Sequence, residues 1–198
     1  MILWIILLII LALLLFWRFW FLRNPDRKIP HGKNIMSPAD GKVNKIIRSD
    51  SEFSQIEKGI GKVRTMAKDV SNNYVLVNIV MTPLDVHFQR APIQGEVTKT
   101  KHTKGKFKNA VTKSIALENE HNEILIEGEH NIKIVQIAGF LARRIKCYVK
   151  PNNKVKKGQV IGLINLGSQV SIIMPAQINL NIKEGQRVKA GETIIGDY

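Results

Sequence analysis

Three short segments couple a reactive side chain to residues that bend the backbone: Ser37-Pro-Ala-Asp40-Gly41, Met81-Thr-Pro-Leu-Asp-Val-His87-Phe-Gln-Arg90-Ala-Pro92 and Asn165-Leu-Gly167-Ser168-Gln169. Taken singly, each has an ordinary explanation. Asp-Gly and Gly-Ser are common turn pairs, and a lone histidine between two prolines is usually a satisfied core or surface residue. Together they supply a carboxylate, an imidazole and a hydroxyl, the group types that nucleophilic catalysis by serine uses. No other nucleophile carries a motif: the chain has no Gly-x-Ser-x-Gly elbow, no glycine-rich phosphate loop and no paired carboxylates at obvious spacing. Its single cysteine, Cys147, lies in a strand-like Ile-Lys-Cys-Tyr-Val run and reads as a small buried residue. One cysteine excludes an intrachain disulfide, and no Cys/His spacing suits zinc, so no metal is expected.

The elements that must hold these segments are short strands. Residues 41–48, 74–81, 123–127, 132–138, 160–166, 170–174 and 178–182 are β-branched or alternating and end at Gly, Pro or Asn, whereas only residues 139–145 suggest a brief helix. Val155-Lys-Lys-Gly158 and Val188-Lys-Ala-Gly191 repeat at a distance of 33 residues, each followed by Ile-Gly, and read as hairpin turns with Gly at the positive-φ position. Such turns recur in barrel-sandwich domains of the biotinyl and lipoyl kind. The expected fold is mainly β, a barrel-sandwich hybrid-like domain preceded by an N-terminal membrane helix.

That helix is residues 1–22. No charge precedes Arg18, and a second apolar patch, Phe19 to Leu22, follows it. Seventeen apolar residues reach about 26 Å, and a snorkelling Arg18 extends the span. A cleaved signal peptide fits less well, because no basic segment precedes the apolar run and no small-x-small site follows it. Arg18, Arg23, Arg27 and Lys28 flank its C-terminal side, which puts the body of the protein on the cytoplasmic side of the cell membrane. Residues 23–36, with Pro25 and Pro30, read as a basic connector, and residues 37–198 as the β-rich catalytic domain. The net charge of +14 falls wholly after residue 17 and favours an anionic lipid surface as partner. Between Val97 and Leu117 stand six lysines and no acid (Lys99, Lys101, Lys104, Lys106, Lys108, Lys113), either a solvated hairpin or a lipid-facing loop. Nucleic acid is not expected, since Phe107 is the one aromatic among them. The sequence leaves a homo-oligomer open.

The chemical segments, with Phe21-Leu-Arg-Asn-Pro-Asp-Arg27, Glu118-Asn-Glu-His-Asn122 and Val135-Gln-Ile-Ala-Gly-Phe-Leu-Ala-Arg-Arg-Ile145, resemble the phosphatidylserine decarboxylase family, in particular its short archaeal and bacterial form. The resemblance covers nearly the whole chain. It implies a proenzyme that cuts itself between Gly167 and Ser168 into a β chain, 1–167, and an α chain, 168–198. Ser168 Oγ would attack the Gly167 carbonyl while His87, oriented by Asp40, takes its proton. Ser168 would end as a covalent N-terminal pyruvoyl cofactor that forms a Schiff base with a serine phospholipid, phosphatidylserine or archaetidylserine, releasing CO2 and the ethanolamine lipid. By the same analogy His87 protonates the product carbon.

Two positions depart from the family pattern. Many relatives carry a second histidine three residues after the first, where this chain has Arg90. Either His87 serves both steps, or Arg90 binds the substrate phosphate or carboxylate. Gln169 follows Ser168 where relatives often have Thr, Ser or Arg, a change expected to tune cleavage. The alternative is a membrane-tethered, non-enzymatic barrel-sandwich binding or carrier domain; neither Val-Lys turn places Asp or Met beside the lysine, as a lipoyl carrier would. A phosphocarrier phosphorylated on His87 is a third reading.

Overall fold

Runs of β-branched residues with apolar side chains on alternate positions commit most of the chain to strands, and the sheet they build sets where the reactive segments fall. The computed structural model describes residues 2–59, 61–105, 117–139, 144–165 and 168–198. An apolar helix, Ile2–Leu15, continues through a π-helical turn, Phe16–Phe21, with mean hydropathy 2.8, long and apolar enough to cross a membrane. Every helix side chain is exposed or half-buried except Phe21, which is buried. A mainly β domain follows.

Its centre is a curled eight-stranded antiparallel sheet. Read from one edge, the strands are Lys154–Val155, Gly95–Thr103, His121–Glu127 and Asn131–Ile137; read from the other, Arg187–Val188, Gly41–Ser49, Tyr74–Val80 and Gln169–Pro175. The lengths run two, nine, seven, seven in both directions. Both nine-residue strands carry a bulge at the same place, between Val43 and Lys45 and between Val97 and Lys99. Two three-stranded sheets repeat the theme. Asn34–Met36 pairs with Ile194–Asp197, and Phe88–Arg90 with Val160–Ile164, the registers Ile35 to Gly196 and Gln89 to Gly162 sharing one irregularity. The domain is therefore a topological two-fold repeat, and the paired Val-x-x-Gly turns are its sequence trace. Gly158 and Gly191 have φ of 80° and 73°, as expected for those turns.

The inner face buries one core, with Val43, Val77, Ile124, Ile134 and Ile172 meeting Ile35, Ile161 and Ile195 of the small sheets. Alternate residues on the outer face, among them Leu76, Leu125, Val135 and Ile173, form a second core under Ile56 and Val63. Those two belong to the hairpin Phe53–Lys58 and Gly61–Met66, which the charged residues between its apolar positions conceal in the sequence. Asn34–Met36, at the end of the expected connector, is a strand, and Lys99 and Lys101 lie within Gly95–Thr103. Residues 106–116, with most of the remaining lysine run, lie outside the described residues. So do residues 140–143 of the expected helix, while Ile145 opens the strand Ile145–Cys147. Cys147 is exposed rather than buried, because that three-residue strand is the outer member of its sheet.

Candidate active site

The two seven-residue strands at the middle of each half meet differently. Glu127 and Asn131 are joined by a tight hairpin, in which Gly128 N donates to His130 O at 3.3 Å. At the counterpart corner Val80 and Gln169 are also paired, and Met81 N donates to Ser168 O at 3.0 Å, but no hairpin links these strands. Two chain segments leave that corner, one toward His87 and one arriving from Asn165. Gly167 lies outside the described residues.

Ser168 is fully buried, and its Oγ lies 3.4 Å from Met81 Sδ. His87 is fully buried as well. It follows a turn closed by Asp85, whose Oδ2 accepts from Thr82 N at 2.7 Å and Thr82 Oγ1 at 2.8 Å, while Oδ1 accepts from Arg187. His87 Nδ1 is 2.8 Å from the Asp85 carbonyl oxygen. A carbonyl only accepts, so Nδ1 carries the proton and Nε2 keeps a bare lone pair. That Nε2 is buried without a hydrogen-bond partner. Burial holds the imidazole below its ordinary value; the Asp85 carbonyl and the Asp85 and Asp40 charges oppose this, and Arg23 reinforces it. The ring is a neutral base whose one free acceptor faces no protein donor.

A line of buried amides backs this corner. Asn122 Nδ2 donates to Gln136 Oε1 at 2.8 Å, Gln136 Nε2 to Gln89 Oε1 at 2.8 Å, and Gln89 Nε2 to the His87 carbonyl at 2.7 Å. Ile164 N also donates to that carbonyl, at 3.3 Å, which fastens the end of Val160–Ile164 to His87 three residues before Gly167. Gln89 Nε2 further lies 3.9 Å from Met81 Sδ, so Met81 bridges Ser168 to the amide line. None of Met81, Gln89, Asn122 or Gln136 is singled out in the sequence, although Met81 and Gln89 flank His87 in its own segment and Asn122 and Gln136 lie in family-like segments.

Asp40 stands apart from this group. Its carboxylate accepts from Arg27 Nη2 at 3.0 and 2.9 Å and from Ala190 N at 2.8 Å, and makes no hydrogen bond to His87. The expected Asp40–His87 contact is replaced by the Asp85 carbonyl, because the Arg27 guanidinium and a backbone N–H already occupy Asp40. Arg90 likewise spends its donors on the protein: Gly158 O at 2.9 Å, Asn24 Oδ1 at 2.7 Å and Pro25 O at 3.1 Å. Both residues therefore clamp the connector against the domain.

A family model for phosphatidylserine decarboxylase matches residues 14–196. The chain is 42% identical over 185 residues to a Methanocaldococcus jannaschii protein provisionally named archaetidylserine decarboxylase proenzyme, covering 92% of this chain and 90% of the relative. It is 37% identical over 182 residues to the phosphatidylserine decarboxylase proenzyme of Syntrophus aciditrophicus, covering 90% and 78%. With the proenzyme of the same name from Wolbachia pipientis it shares 39% over 181 residues, covering 90% and 74%. No solved structure matches the chain.

Proposed function

The chain belongs to the phosphatidylserine decarboxylase family, a family of decarboxylase proenzymes, and from that membership we propose a membrane-held, self-cleaving enzyme that decarboxylates a serine phospholipid. The observation that supports the reading is a pair of fully buried side chains linked through Met81 and Gln89: Ser168, whose Oγ lies against Met81 Sδ, and His87, whose Nε2 has no hydrogen-bond partner.

In this reading His87 Nε2 takes the proton of Ser168 Oγ as the oxygen attacks the Gly167 carbonyl. The Gly167–Ser168 C–N bond breaks, the proton passes to the leaving amine, and an ester joins Gly167 to the Ser168 oxygen. A base then removes the Ser168 Cα proton and the C–O bond breaks, freeing the Gly167 carboxylate. Tautomerisation and hydrolysis of the remaining enamine release ammonia and leave a pyruvoyl terminus on residue 168. The buried setting suits that conversion, since Ser168 Oγ has a thioether rather than a strong polar partner against it, and its departure with the Gly167 carboxylate, which leaves Cβ as a methyl group, forfeits no strong hydrogen bond. The pyruvoyl ketone supplies an electrophile for the substrate amine and an electron sink for the carbon that loses CO2. His87, once protonated, is the group positioned to return a proton to that carbon. Arg90 and Asp40 hold the connector; the anionic substrate would be drawn instead by the basic surface and the apolar helix, with the domain on the cytoplasmic side.

The test is processing and product together. Wild-type protein should run as two bands on a denaturing gel and release CO2 from vesicles containing a serine phospholipid, diacyl or ether-linked, whereas Ser168→Ala should run as one band and release none. Identical full-length bands for both would refute the proposal.

A further inference from the structure

The apolar helix ends against the reactive histidine. The Phe21 ring lies on the His87 ring with centroids 4.0 Å apart and planes inclined by 32°, and Trp17 stacks on Phe21 at 4.5 Å and 6°. Phe21 is the one buried residue of the helix. The π-helical turn contributes: Leu22 N donates to Trp17 O, five residues back, at 3.1 Å, which widens the last turn around the two stacked rings. Just beyond, the Arg23 guanidinium donates to Leu84 O at 2.5 Å and to Trp20 O at 2.8 Å, and so ties the helix end to the turn that carries Asp85 and His87.

A membrane anchor has no physical need for any of this. A tether would work equally well through a loose linker, and exposed aromatics at a helix end ordinarily lie at the lipid interface. Here the last aromatic is withdrawn from lipid and laid on an imidazole. We propose that Phe21 is a positioning residue for His87, so that the terminal turn of the membrane helix is a structural part of the active site and keeps water from the reactive nitrogen. The inference rests on the reading of His87 as the base of self-cleavage.

The physical consequence has a definite sign. An aromatic lid removes water from the ring, and the loss of water disfavours the charged imidazolium. Asp85 on its own segment and Asp40 at the start of Gly41–Ser49 favour the imidazolium, while Arg23 on the connector opposes it; Arg187 is bound to Asp85. Removing the Phe21 ring admits water and raises the His87 pKa toward the ordinary imidazole value. Less base is then present on the acid side, by up to about tenfold for each unit of rise.

The experiment is an imidazole NMR titration of His87 in full-length Ser168→Ala precursor in lipid nanodiscs, with and without a change at Phe21. Phe21→Ala should move the midpoint upward, Phe21→Leu, which keeps apolar bulk, should move it less, and Phe21→Tyr should restore it. In parallel, Phe21→Ala on the Ser168 chain, made by cell-free synthesis into the same nanodiscs, should process more slowly than wild type at pH 6.5 and approach it at pH 8. Unchanged midpoints in both Phe21→Ala and Phe21→Leu would overturn the proposal. Normal processing of His87→Gln would instead overturn His87 as base, a separate failure that the titration does not depend on.

Discussion

At the scale of single residues, the assignment most open to test is Asp40. A carboxylate beside a candidate histidine and serine invites a triad, yet its oxygens are taken by Arg27 and Ala190 N, with side-chain exposures of 5% for Arg27 and 12% for Asp40. Removing Asp40 leaves the buried Arg27 guanidinium with only its longer ion pair, Nη1 to Glu192 Oε2 at 3.7 Å. Asp40→Ala should therefore destabilise the folded protein by about 3 kcal/mol, read as a fall in melting temperature. Arg27→Met with Asp40→Ala should lose less than the two single changes added together. A purely catalytic Asp40 would instead leave the melting temperature unchanged. Ser168 and His87 were legible as candidates because their segments are sharply bent and rich in Pro and Gly. The amides of Asn122, Gln136 and Gln89 were not: each is an ordinary polar residue on a strand, and only the pairing of Asn122 with Gln136 and of Gln89 with Gly162, whose missing Cβ leaves room for the Gln136 amide, brings them into one line. Asp85 was hidden for a similar reason, since it acts on His87 through its carbonyl, a group every residue has.

At the scale of elements, the repeated turns do more than reverse the chain. A Cβ on Gly158 would stand 2.3 Å from Ile29 Cδ1, and one on Gly191 3.1 Å from the same atom and 3.0 Å from Arg90 Cδ. The two related turns thus grip one connector residue from both halves of the repeat, while Gly158 N and Gly191 N donate to Ala91 O and Ser37 O at 2.8 and 2.9 Å. Gly185 supplies the internal control: its φ is also positive, 85°, but its nearest neighbour is the flexible end of Lys42 at 3.9 Å. Gly185→Ala should cost only the left-handed backbone penalty, about 1–2 kcal/mol. Gly158→Ala should cost that plus an overpacking term of about 1–3 kcal/mol, and Ile29→Ala should recover part of the second term alone. Chemical denaturation of the three single variants and of Gly158→Ala combined with Ile29→Ala measures it; equal losses for Gly158→Ala and Gly185→Ala would remove the clamp from the account. These turns were legible because Val-x-x-Gly recurs intact. The two-fold repeat behind them was not, because the strands it relates share length and bulge position while their side chains have diverged, and pairing partners lie far apart in sequence.

At the scale of the whole molecule, the two-fold repeat bears on what the proposed cut before Ser168 would do to the fold. The other corner is a covalent hairpin, but the one bearing Ser168 joins strands from distant parts of the chain, Tyr74–Val80 and Gln169–Pro175. A chain beginning at residue 168 would keep Gln169–Pro175 in the middle of the sheet, hydrogen-bonded to Tyr74–Val80 on one side and Asn131–Ile137 on the other. It would also keep Ile194–Asp197 against Asn34–Met36 and Arg187–Val188 against Gly41 and Lys42. Val170, Ile172, Met174 and Ile195 would remain in the inner core and Ile173 in the outer one. Separating the pieces would expose both cores and break ladders on two faces of one strand, which couples their dissociation to global unfolding. Cleaved α and β chains should accordingly co-elute in mild detergent and 1 M salt, and should part only across the same urea range in which the sheet signal in circular dichroism is lost. Dissociation well before that transition would show that the central strand is not what holds the two chains together.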